Sequence, residues 1–353
     1  MKSSVTFTVF ADFHYKKGMY VSGVADMEEI FRRAKKDGAE LVIHLGDMCN
    51  DYRGSPELVS AYLDNSEGLD VFGTFGNHEL ETAGNTMRYV TEKLTNTPKK
   101  AVFGTPDGTL GDGSTAYYYT DRDNFRFIFL DTNYSVNPET DEYEHNKNAS
   151  WGAPSGNTRI DSLGDEQLLW LESLLLRSAA EEKICIVLSH SSFCGEWKSS
   201  PDAERVRELF RKANLARRGT VALAMNGHLH TNHSAVVDDV AYLDINTVRC
   251  GLWRAAKFHP YAEENPEDPK FTYEFTDYDE NGNPTRTYQR PLSTLKMGAQ
   301  TLFFANPLCA TVTVTANAGV TVCGSKTEWM YGIAPESEGG TPPLTLISDF
   351  KKA

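Results

Sequence analysis

The chain has 353 residues, 40% of them hydrophobic and 24% charged, so it can bury a sizeable core and lacks the composition of a disordered polypeptide. Its formal net charge of −14 argues against a protein dedicated to binding DNA or RNA, because an acidic surface repels a phosphate backbone. The six cysteines are too sparse for a disulfide framework, and no apolar run approaches the length of a membrane span.

The first 78 residues alternate between short apolar runs and amphipathic segments. The apolar runs at 5–10, 41–45 and 69–75 predict strands, and the segments at 24–36 and 56–63 predict helices between them. A strand-helix-strand-helix-strand order of this kind predicts a parallel sheet with right-handed crossovers.

The middle of the chain continues this alternation on both sides of a long polar segment. That segment, residues 133–161, contains Gly, Pro and Asn, and we predict a loop there at the rim of a site. Helices are predicted at 82–94, 163–180 and 201–218, and strands at 125–130, 183–188, 220–225, 235–237 and 240–245.

Beyond about residue 255 the helical pattern disappears. Alternating residues on both sides of Asn281-Gly282 predict a hairpin within 271–288, and two further strands are predicted at 311–315 and 320–323. We therefore predict an α/β domain at 1–255 followed by a β-rich C-terminal extension at 256–353.

Five short polar motifs each follow a predicted strand. Because ligands of open α/β sheets collect beyond the carboxyl ends of the strands, we expect these motifs to meet at one edge. Their carboxylate, amide and imidazole groups are ligands that Mn, Fe, Zn or Co accept. The motifs are Asp12-Phe-His14, Gly46-Asp47, Gly76-Asn77-His78-Glu79, Ser189-His190 and Gly227-His228-Leu229-His230.

The number of donors suits two metal ions that share one carboxylate better than it suits one ion. Asp12 and His14 are two residues apart, so both side chains would point the same way from a strand and could bind one ion. Asp47 could place one carboxylate oxygen on each of two ions.

Each motif taken alone has a structural alternative. An isolated Asp or Asn after a strand is most often a turn residue or a helix cap, and a lone histidine such as His190 is more often a buried, hydrogen-bonded core residue. The five motifs together, in this order and at strand ends, favour the metal site. The remaining histidines lack such placement and are interpreted as structural: His44, His145, His233 and His259.

In this order the five motifs, which span residues 12–230, resemble the signature of the calcineurin-like metallophosphoesterase superfamily. The motif set is most similar to the subset that includes class III cyclic-nucleotide phosphodiesterases. The resemblance implies a four-layer αββα sandwich with two mixed β-sheets face to face, to which the later β-runs can contribute strands. It implies nothing about residues after about 255.

The resemblance also implies a role for each motif residue. His78 would not bind metal but would face the substrate phosphate as a general acid or hydrogen-bond donor, with Asn77 beside it. Asp47 would bridge the two ions. The remaining ligands divide into a first set of Asp12, His14 and His230 and a second set of Asn77, His190 and His228.

The function implied is hydrolysis of a phosphate monoester or diester by a metal-dependent phosphoesterase. A metal-bridging hydroxide at the dinuclear site would attack phosphorus in line with the leaving oxygen. The alternative is a non-catalytic scaffold or protein-binding module on the same fold, although such proteins typically lack one of these ligands. A second alternative places a carbohydrate- or surface-binding function in the β-rich extension.

The expected partner is a small phosphorylated substrate rather than a nucleic-acid polymer, and no membrane span is expected. The sequence does not choose between phosphatase and phosphodiesterase, and it makes no prediction of oligomeric state. The chain enters its first strand without an apolar signal segment, which predicts a cytoplasmic protein. An exported protein whose signal has been removed would look the same.

Overall fold

The structure, a computed structural model, describes residues 1–18, 20–49, 55–80, 100–105, 108–109, 116–146, 156–194, 199–253, 272–279, 283–291, 294, 301–330, 344–345 and 350–352. The helices are α1 (Val24–Lys36), α2 (Pro56–Asp64), α3 (Asp165–Ala180) and α4 (Ala203–Ala216). The strands are β1 (Ser4–Phe10), β2 (Leu41–Leu45), β3 (Asp70–Thr74), β4 (Val102–Phe103), β5 (Tyr118–Arg122), β6 (Phe125–Phe129), β7 (Tyr134–Asn137), β8 (Glu142–His145), β9 (Thr158–Ser162), β10 (Ile184–Ser189), β11 (Val221–Asn226), β12 (His233–Val237), β13 (Val240–Asp244), β14 (Cys250–Trp253), β15 (Thr272–Tyr278), β16 (Pro284–Pro291), β17 (Thr301–Phe303), β18 (Ala310–Thr315), β19 (Val320–Gly324), β20 (Lys326–Thr327), β21 (Leu344–Thr345) and β22 (Phe350–Lys352).

Two mixed sheets form the body of the molecule. The first has the strand order β22-β19-β18-β1-β2-β3, in which β1, β2 and β3 are parallel and β18 pairs antiparallel with β1. The second has the order β12-β13-β11-β10-β6-β5-β4, in which β13, β11, β10 and β6 are parallel. The predicted order of the first five elements therefore produces the parallel part of the first sheet.

The sheets pack face to face with helices on their outer sides. Between them lies a core of fully buried apolar side chains, in which the rings of Phe7 and Phe127 meet edge to face at 5.3 Å. Burying a side chain of this size contributes roughly 1.5–3 kcal/mol. Helices α1 and α2 cover the first sheet, with Phe31 against Tyr62, and α3 and α4 cover the second. This arrangement confirms the four-layer αββα sandwich.

The carboxyl ends of the parallel strands lie at a common edge. In the first sheet Phe10 is paired with His44, and Leu45 with Thr74, so β1, β2 and β3 end almost level. In the second sheet Ser189 at the end of β10 pairs with Asn226 at the end of β11. All five polar motifs begin at the ends of these strands or within two residues beyond them.

The polar segment at 133–161 differs from its prediction. Where the sequence predicts a loop, β8, β7 and β9 form an antiparallel three-stranded sheet. Its strands are only 4 or 5 residues long and mostly polar, so they lack the apolar alternation by which strands are recognised. The predicted helix at 82–94 lies outside the described residues.

The C-terminal region is rich in strands, as predicted. Strands β15 and β16 form the predicted hairpin, and β18, β19 and β22 extend the first sheet beyond β1. The boundary at residue 255 stays a prediction, although these later strands share a sheet with the start of the chain. Among the described helices, none combines the length and the apolar character needed to cross a membrane.

Candidate metal centre

The loops after the five strands are joined to one another by backbone hydrogen bonds. The N–H of Asp12 donates to the carbonyl of Gly46 at 3.0 Å, and the N–H of His14 donates to the carbonyl of Asp47 at 2.9 Å. The two sheets are connected at the same place, because the N–H of His228 donates to Oδ2 of Asp12 at 2.9 Å. These contacts bring the predicted ligands together at the sheet edge.

A first cluster contains Asp12, His14 and His230, whose ligand atoms all lie within 4.8 Å of one another. Nε2 of His14 and Nε2 of His230 are 3.1 Å apart, and Nε2 of His230 is 3.4 Å from Oδ1 of Asp12. The Nδ1 of His230 lies 2.7 Å from the carbonyl oxygen of Cys250 and can donate to it. That bond directs Nε2 into the cluster, as is usual for histidine metal ligands.

A second cluster contains Asp47, His190 and His228. Nε2 of His190 is 3.1 Å from Nδ1 of His228 and 3.3 Å from Oδ2 of Asp47. The other ring nitrogen of His190 lies 2.7 Å from the carbonyl oxygen of Leu45, to which it donates. His228 and His230, two residues apart, thus face different clusters.

Asp47 lies between the clusters. Its Oδ2 is 3.3 Å from Nε2 of His190 and 3.8 Å from Nε2 of His14, so one oxygen faces both groups. Its Oδ1 accepts the backbone N–H of His78 at 2.8 Å. The sequence predicts one Asp47 oxygen for each ion, whereas in the structure the hydrogen bond to His78 occupies Oδ1 and a single oxygen, Oδ2, faces both clusters.

Asn77 supplies evidence that the residues fit a metal ion. Its side-chain Oδ1 is buried and has no hydrogen-bond partner within the described part of the chain. Buried polar atoms are almost always hydrogen-bonded, so a buried amide oxygen without such a bond, one residue before His78, is suited to bind a metal ion. The set of oxygen and imidazole donors fits a divalent transition metal.

The electrostatics of the clusters also favour a cation. Burial lowers the pKa of His14 well below its ordinary value and keeps its ring neutral. Burial also opposes charge on His190, but the Asp47 carboxylate outweighs it and raises the pKa of His190 to about 10. The same interaction holds the pKa of Asp47 well below its ordinary value despite burial. The negative charge that retains a proton on His190 would equally attract a metal ion.

Five of the seven predicted ligands adopt the left-handed backbone region, which favours glycine. Such a conformation costs a non-glycine residue roughly 1–2 kcal/mol, and strain of this kind concentrates at functional sites. It also means that the strand geometry assumed for Asp12 and His14 does not apply. The φ values are 52° for Asp12, 49° for His14, 51° for Asp47, 69° for His228 and 53° for His230.

Two glycines make room for the ligands. A Cβ on Gly76 would lie within 3.0 Å of both Asp47 and His190, and one on Gly227 would lie within 3.0 Å of Oδ2 of Asp12. Glycine is thus required at these two positions because the ligand side chains lie too close to the backbone to leave room for a Cβ atom.

His78 lies beside both clusters. Its ring packs edge to face on the ring of His14, with centroids 4.9 Å apart, and the side chain is buried. A ligand atom of His78 also lies within 4.8 Å of ligand atoms of His14 and Asp47. The predicted role of His78 toward substrate, rather than metal, stays a prediction.

Sequence reasoning assigns no role to two acidic residues at the site. Glu79 is fully buried and accepts the backbone N–H groups of Asp47, Met48 and Gly76 at 2.9, 2.6 and 2.5 Å. Burial and the charge of Asp47 raise the pKa of Glu79 to about 7. Asp161, in β9, places Oδ2 3.6 Å from Nε2 of His228. Glu79 could have been singled out because it belongs to the motif Gly76-Asn77-His78-Glu79. No pattern in the polar segment at 133–161 indicates that Asp161 is part of the site.

The histidines interpreted as structural occupy other positions. His145 contacts the Asp131 carboxylate at 2.7 Å, and His44 is buried among the rings of Phe10, Tyr62 and Phe75. His259 lies outside the described residues.

A family model described as calcineurin-like phosphoesterase matches residues 5–232. Because this match covers more than half of the chain, the protein belongs to the calcineurin-like phosphoesterase family.

A comparison with solved structures finds chains that are similar to this one at low sequence identity. A dimetal phosphatase from Danio rerio is 14% identical with a TM-score of 0.55, and the alignment covers 98% of this chain and 99% of that one. GAP50, the anchor in the inner membrane complex of Plasmodium, is 13% identical with a TM-score of 0.45 and coverage of 98% and 89%. A purple acid phosphatase from yellow lupin (Lupinus luteus) is 14% identical with a TM-score of 0.40 and coverage of 92% and 52%. A comparison with curated protein sequences finds no match.

Proposed function

We propose that this chain is a metal-dependent phosphoesterase with a dinuclear centre, hydrolysing a small phosphate monoester or diester. The observation that carries the proposal is the position of Asp47, whose Oδ2 faces His190 at 3.3 Å and His14 at 3.8 Å. Membership of the calcineurin-like phosphoesterase family supports a hydrolase. The similar fold of a dimetal phosphatase is consistent with two ions.

The seven donors would hold the two ions in two sets joined by Asp47. When bound, such ions supply Lewis-acid charge to the phosphate and lower the pKa of a water nucleophile. The metals that suit these donors are Mn, Fe, Zn and Co. The first set is Asp12, His14 and His230, and the second set is Asn77, His190 and His228.

The protein's own contribution is positioning and proton control. The Leu45 and Cys250 carbonyls orient the rings of His190 and His230, so that neither ligand must reorganise when substrate arrives. Phosphoryl transfer to water needs a proton for the leaving oxygen, and His78 would supply it. Asn77 and His78 would both contact the phosphate.

The proposal is tested by metal content and a substrate panel. Purified protein loaded with Mn²⁺ should retain two ions per chain by elemental analysis. It should hydrolyse at least one member of a panel of p-nitrophenyl phosphate, its bis-ester and cyclic nucleotides, and the panel separates phosphatase from phosphodiesterase.

Two outcomes would reject the proposal. Retention of fewer than two ions would rule out the dinuclear centre. Retention of two ions with no turnover on any phosphoester would favour the non-catalytic scaffold instead.

A further inference from the structure

The connection between β6 and β7, residues 130–133, contains no predicted metal ligand but is bonded to a loop that does. It leaves β6 of the second sheet, whereas Asn77 follows β3 of the first sheet. Nδ2 of Asn133 donates to the carbonyl oxygen of Phe75 at 3.0 Å. Phe75 is two residues before Asn77, so a side chain that follows the second sheet holds the loop that carries a predicted ligand.

The peptide group that joins Phe75 to Gly76 is held at both of its polar atoms. Its carbonyl oxygen accepts the hydrogen bond from Asn133, and its N–H donates to Oε2 of Glu79 at 2.5 Å. The side chains of Asn133 and Glu79 are buried, so water does not compete for either bond. Because a peptide group is planar, rotating it would strain both hydrogen bonds at once.

Gly76 brings this peptide group against the second cluster. A Cβ atom on Gly76 would lie within 3.0 Å of Asp47 and of His190, so the backbone here packs directly on two predicted ligands. The next residue is Asn77, whose buried Oδ1 has no hydrogen-bond partner among the residues that the structure describes. No hydrogen bond of its own therefore fixes that oxygen, and its position depends on the backbone before it.

Asn133 is itself held by a buried polar network. Oδ1 of Asp131 accepts the backbone N–H and the Nδ2 group of Asn133, each at 3.0 Å. Oδ2 of Asp131 is 2.7 Å from Nε2 of His145, and the side-chain amide of Gln167 bonds the backbone N–H and carbonyl of Asp131 at 2.8 and 2.7 Å. An amide NH₂ group has two hydrogens, so the bond to Asp131 directs the second one at Phe75.

The same connection contacts the loop of His190. The backbone N–H of Ser191, the residue after His190, donates to Oγ1 of Thr132 at 3.4 Å. Thr132 and Asn133 are adjacent, and both are buried. Two neighbouring residues thus bond the loops of His190 and Asn77, which are predicted ligands of the same metal ion.

We propose that Asn133 is a positioning residue for the second metal ion and sets the distance from Asn77 to the donors His190 and His228. This inference rests on the proposed function and assigns a role to a residue outside the seven predicted donors. Asn133 acts through the peptide group described above and does not itself contact the ion. Without its Nδ2 group that peptide can rotate, so the second site loses affinity, whereas the first site, which takes no donor from this loop, keeps it.

A calorimetric titration of the metal-free protein with Mn²⁺ tests this role without depending on turnover. The wild-type protein should show two binding events. Asn133→Ala should weaken one of them by about 10–100-fold, the usual effect of losing a group that orients a ligand, and leave the other unchanged. Asn146→Ala is the matched control, because Asn146 is also a buried asparagine but its side chain bonds Ser135. Both affinities should be unchanged in that control.

A double-mutant cycle identifies the weakened site and the route of the effect. Asn77→Ala removes a donor of the second set and should weaken the same binding event as Asn133→Ala. If Asn133 acts through Asn77, the variant that carries both substitutions should bind no more weakly than Asn77→Ala alone. A general loss of structure would instead add to the effect of Asn77→Ala.

Circular dichroism and urea unfolding of the metal-free variants separate positioning from stability. Asn133→Ala and Asn146→Ala should both be destabilised, because each leaves a buried polar group without its partner. Lower stability alone would therefore weaken metal binding in both variants. If Asn133→Ala does not fold, Asn133→Ser replaces it, since its hydroxyl can still bond Asp131 but ends one bond earlier than the asparagine amide.

The outcomes separate this inference from the proposed function. Unchanged Mn²⁺ affinities in Asn133→Ala would overturn the positioning role and leave the hydrolase intact. Equal weakening of both sites, or additive effects in the double variant, would overturn the positioning role as well. Selective weakening of one site without hydrolysis of any phosphoester would support the positioning role and overturn the hydrolase. A wild-type protein that binds fewer than two ions would overturn both.

Discussion

Glu79 accepts the backbone N–H of Met48 at 2.6 Å and thereby ties the loop after β3 to the loop after β2. The same carboxylate accepts the N–H groups of Asp47 and Gly76 at 2.9 and 2.5 Å. The position of Asp47 relative to Asn77 is therefore fixed by a side chain that is not itself in the predicted ligand set. Three backbone hydrogen bonds to one buried carboxyl group make this a rigid connection.

Glu79→Ala should destabilise the metal-free protein by more than about 3 kcal/mol, because each buried N–H left without an acceptor costs about 1–3 kcal/mol. Urea unfolding of the metal-free protein measures this change. Glu79→Gln keeps an amide oxygen for part of the network and should be less destabilised. Equal stability of the two variants would show that the three hydrogen bonds do not hold the loops.

Asp47→Ala should remove both metal ions and abolish phosphoesterase activity while the protein remains folded. The reason is that Oδ2 of Asp47 faces both His14 and His190, so one substitution removes a donor from both clusters. Elemental analysis and circular dichroism check the two parts of this prediction. Asp64→Ala, at an exposed position at the end of α2, is the control and should keep both ions. Turnover at the wild-type rate in Asp47→Ala would rule out the two-metal mechanism.

His78→Ala should keep both ions and slow turnover by about 10²–10⁴-fold, the usual contribution of a general acid. The loss should be greatest for phosphate esters with poor leaving groups, because these depend most on protonation. Comparison of p-nitrophenyl phosphate with an alkyl phosphate measures this dependence. Loss of metal from this variant would instead place His78 among the ligands, beside His14 and Asp47.

Much of the fold follows from local patterns in the sequence. The apolar stripe Met27, Ile30, Phe31 and Ala34 predicts α1 at 24–36, and the apolar run 41–45 predicts β2, both with the bounds that the structure has. The sheet of β7, β8 and β9 is not predicted from such patterns, because its strands are short and largely polar. Pairing with neighbouring strands, rather than side-chain alternation, defines those strands.

The candidate site is only partly predictable for the same reason. The polar motifs that follow predicted strands identify Asp12 and His228 as candidate ligands. Their left-handed backbone conformation is not predictable in this way, because it accompanies a hydrogen bond between loops of different sheets. Asp161 could not be found, because its contact with His228 joins two segments that are remote in sequence. The sequence therefore predicts which residue types bind the metal ions. Tertiary contacts determine which cluster each ligand joins and which neighbouring residues orient it.

Asp161→Asn should weaken binding of the second metal ion by about 10–100-fold, the usual effect of losing a carboxylate that orients a histidine ligand. Its Oδ2 lies 3.6 Å from Nε2 of His228, whose Nδ1 faces His190. A calorimetric titration of the metal-free protein with Mn²⁺ measures the affinity of each of the two metal sites. Asp141→Asn is the control, since Asp141 lies in the turn before β8 and is exposed. Equal weakening in both variants would indicate a general charge effect rather than orientation of His228.

The Asp131 carboxylate makes stability depend on pH in the acid range. Burial alone would raise the pKa of Asp131, but His145 at 2.7 Å and hydrogen bonds from Asn133 lower it below the ordinary value. Since the folded-state pKa is depressed, the ionised carboxylate contributes stability above an unfolded pKa of about 3.9. This contribution is lost as the pH falls through the folded-state pKa.

Asp131→Asn should therefore reduce the free energy of unfolding by about 1–3 kcal/mol at pH 7, and the difference from wild type should shrink between pH 5 and pH 3. Urea unfolding of both proteins in metal-free buffer at pH 7, 5, 4 and 3 measures the difference at each pH. Asp123→Asn, at an exposed position in the turn between β5 and β6, should show no such trend. A difference between Asp131→Asn and wild type that stays constant down to pH 3 would show that the ionised carboxylate is not the stabilising form.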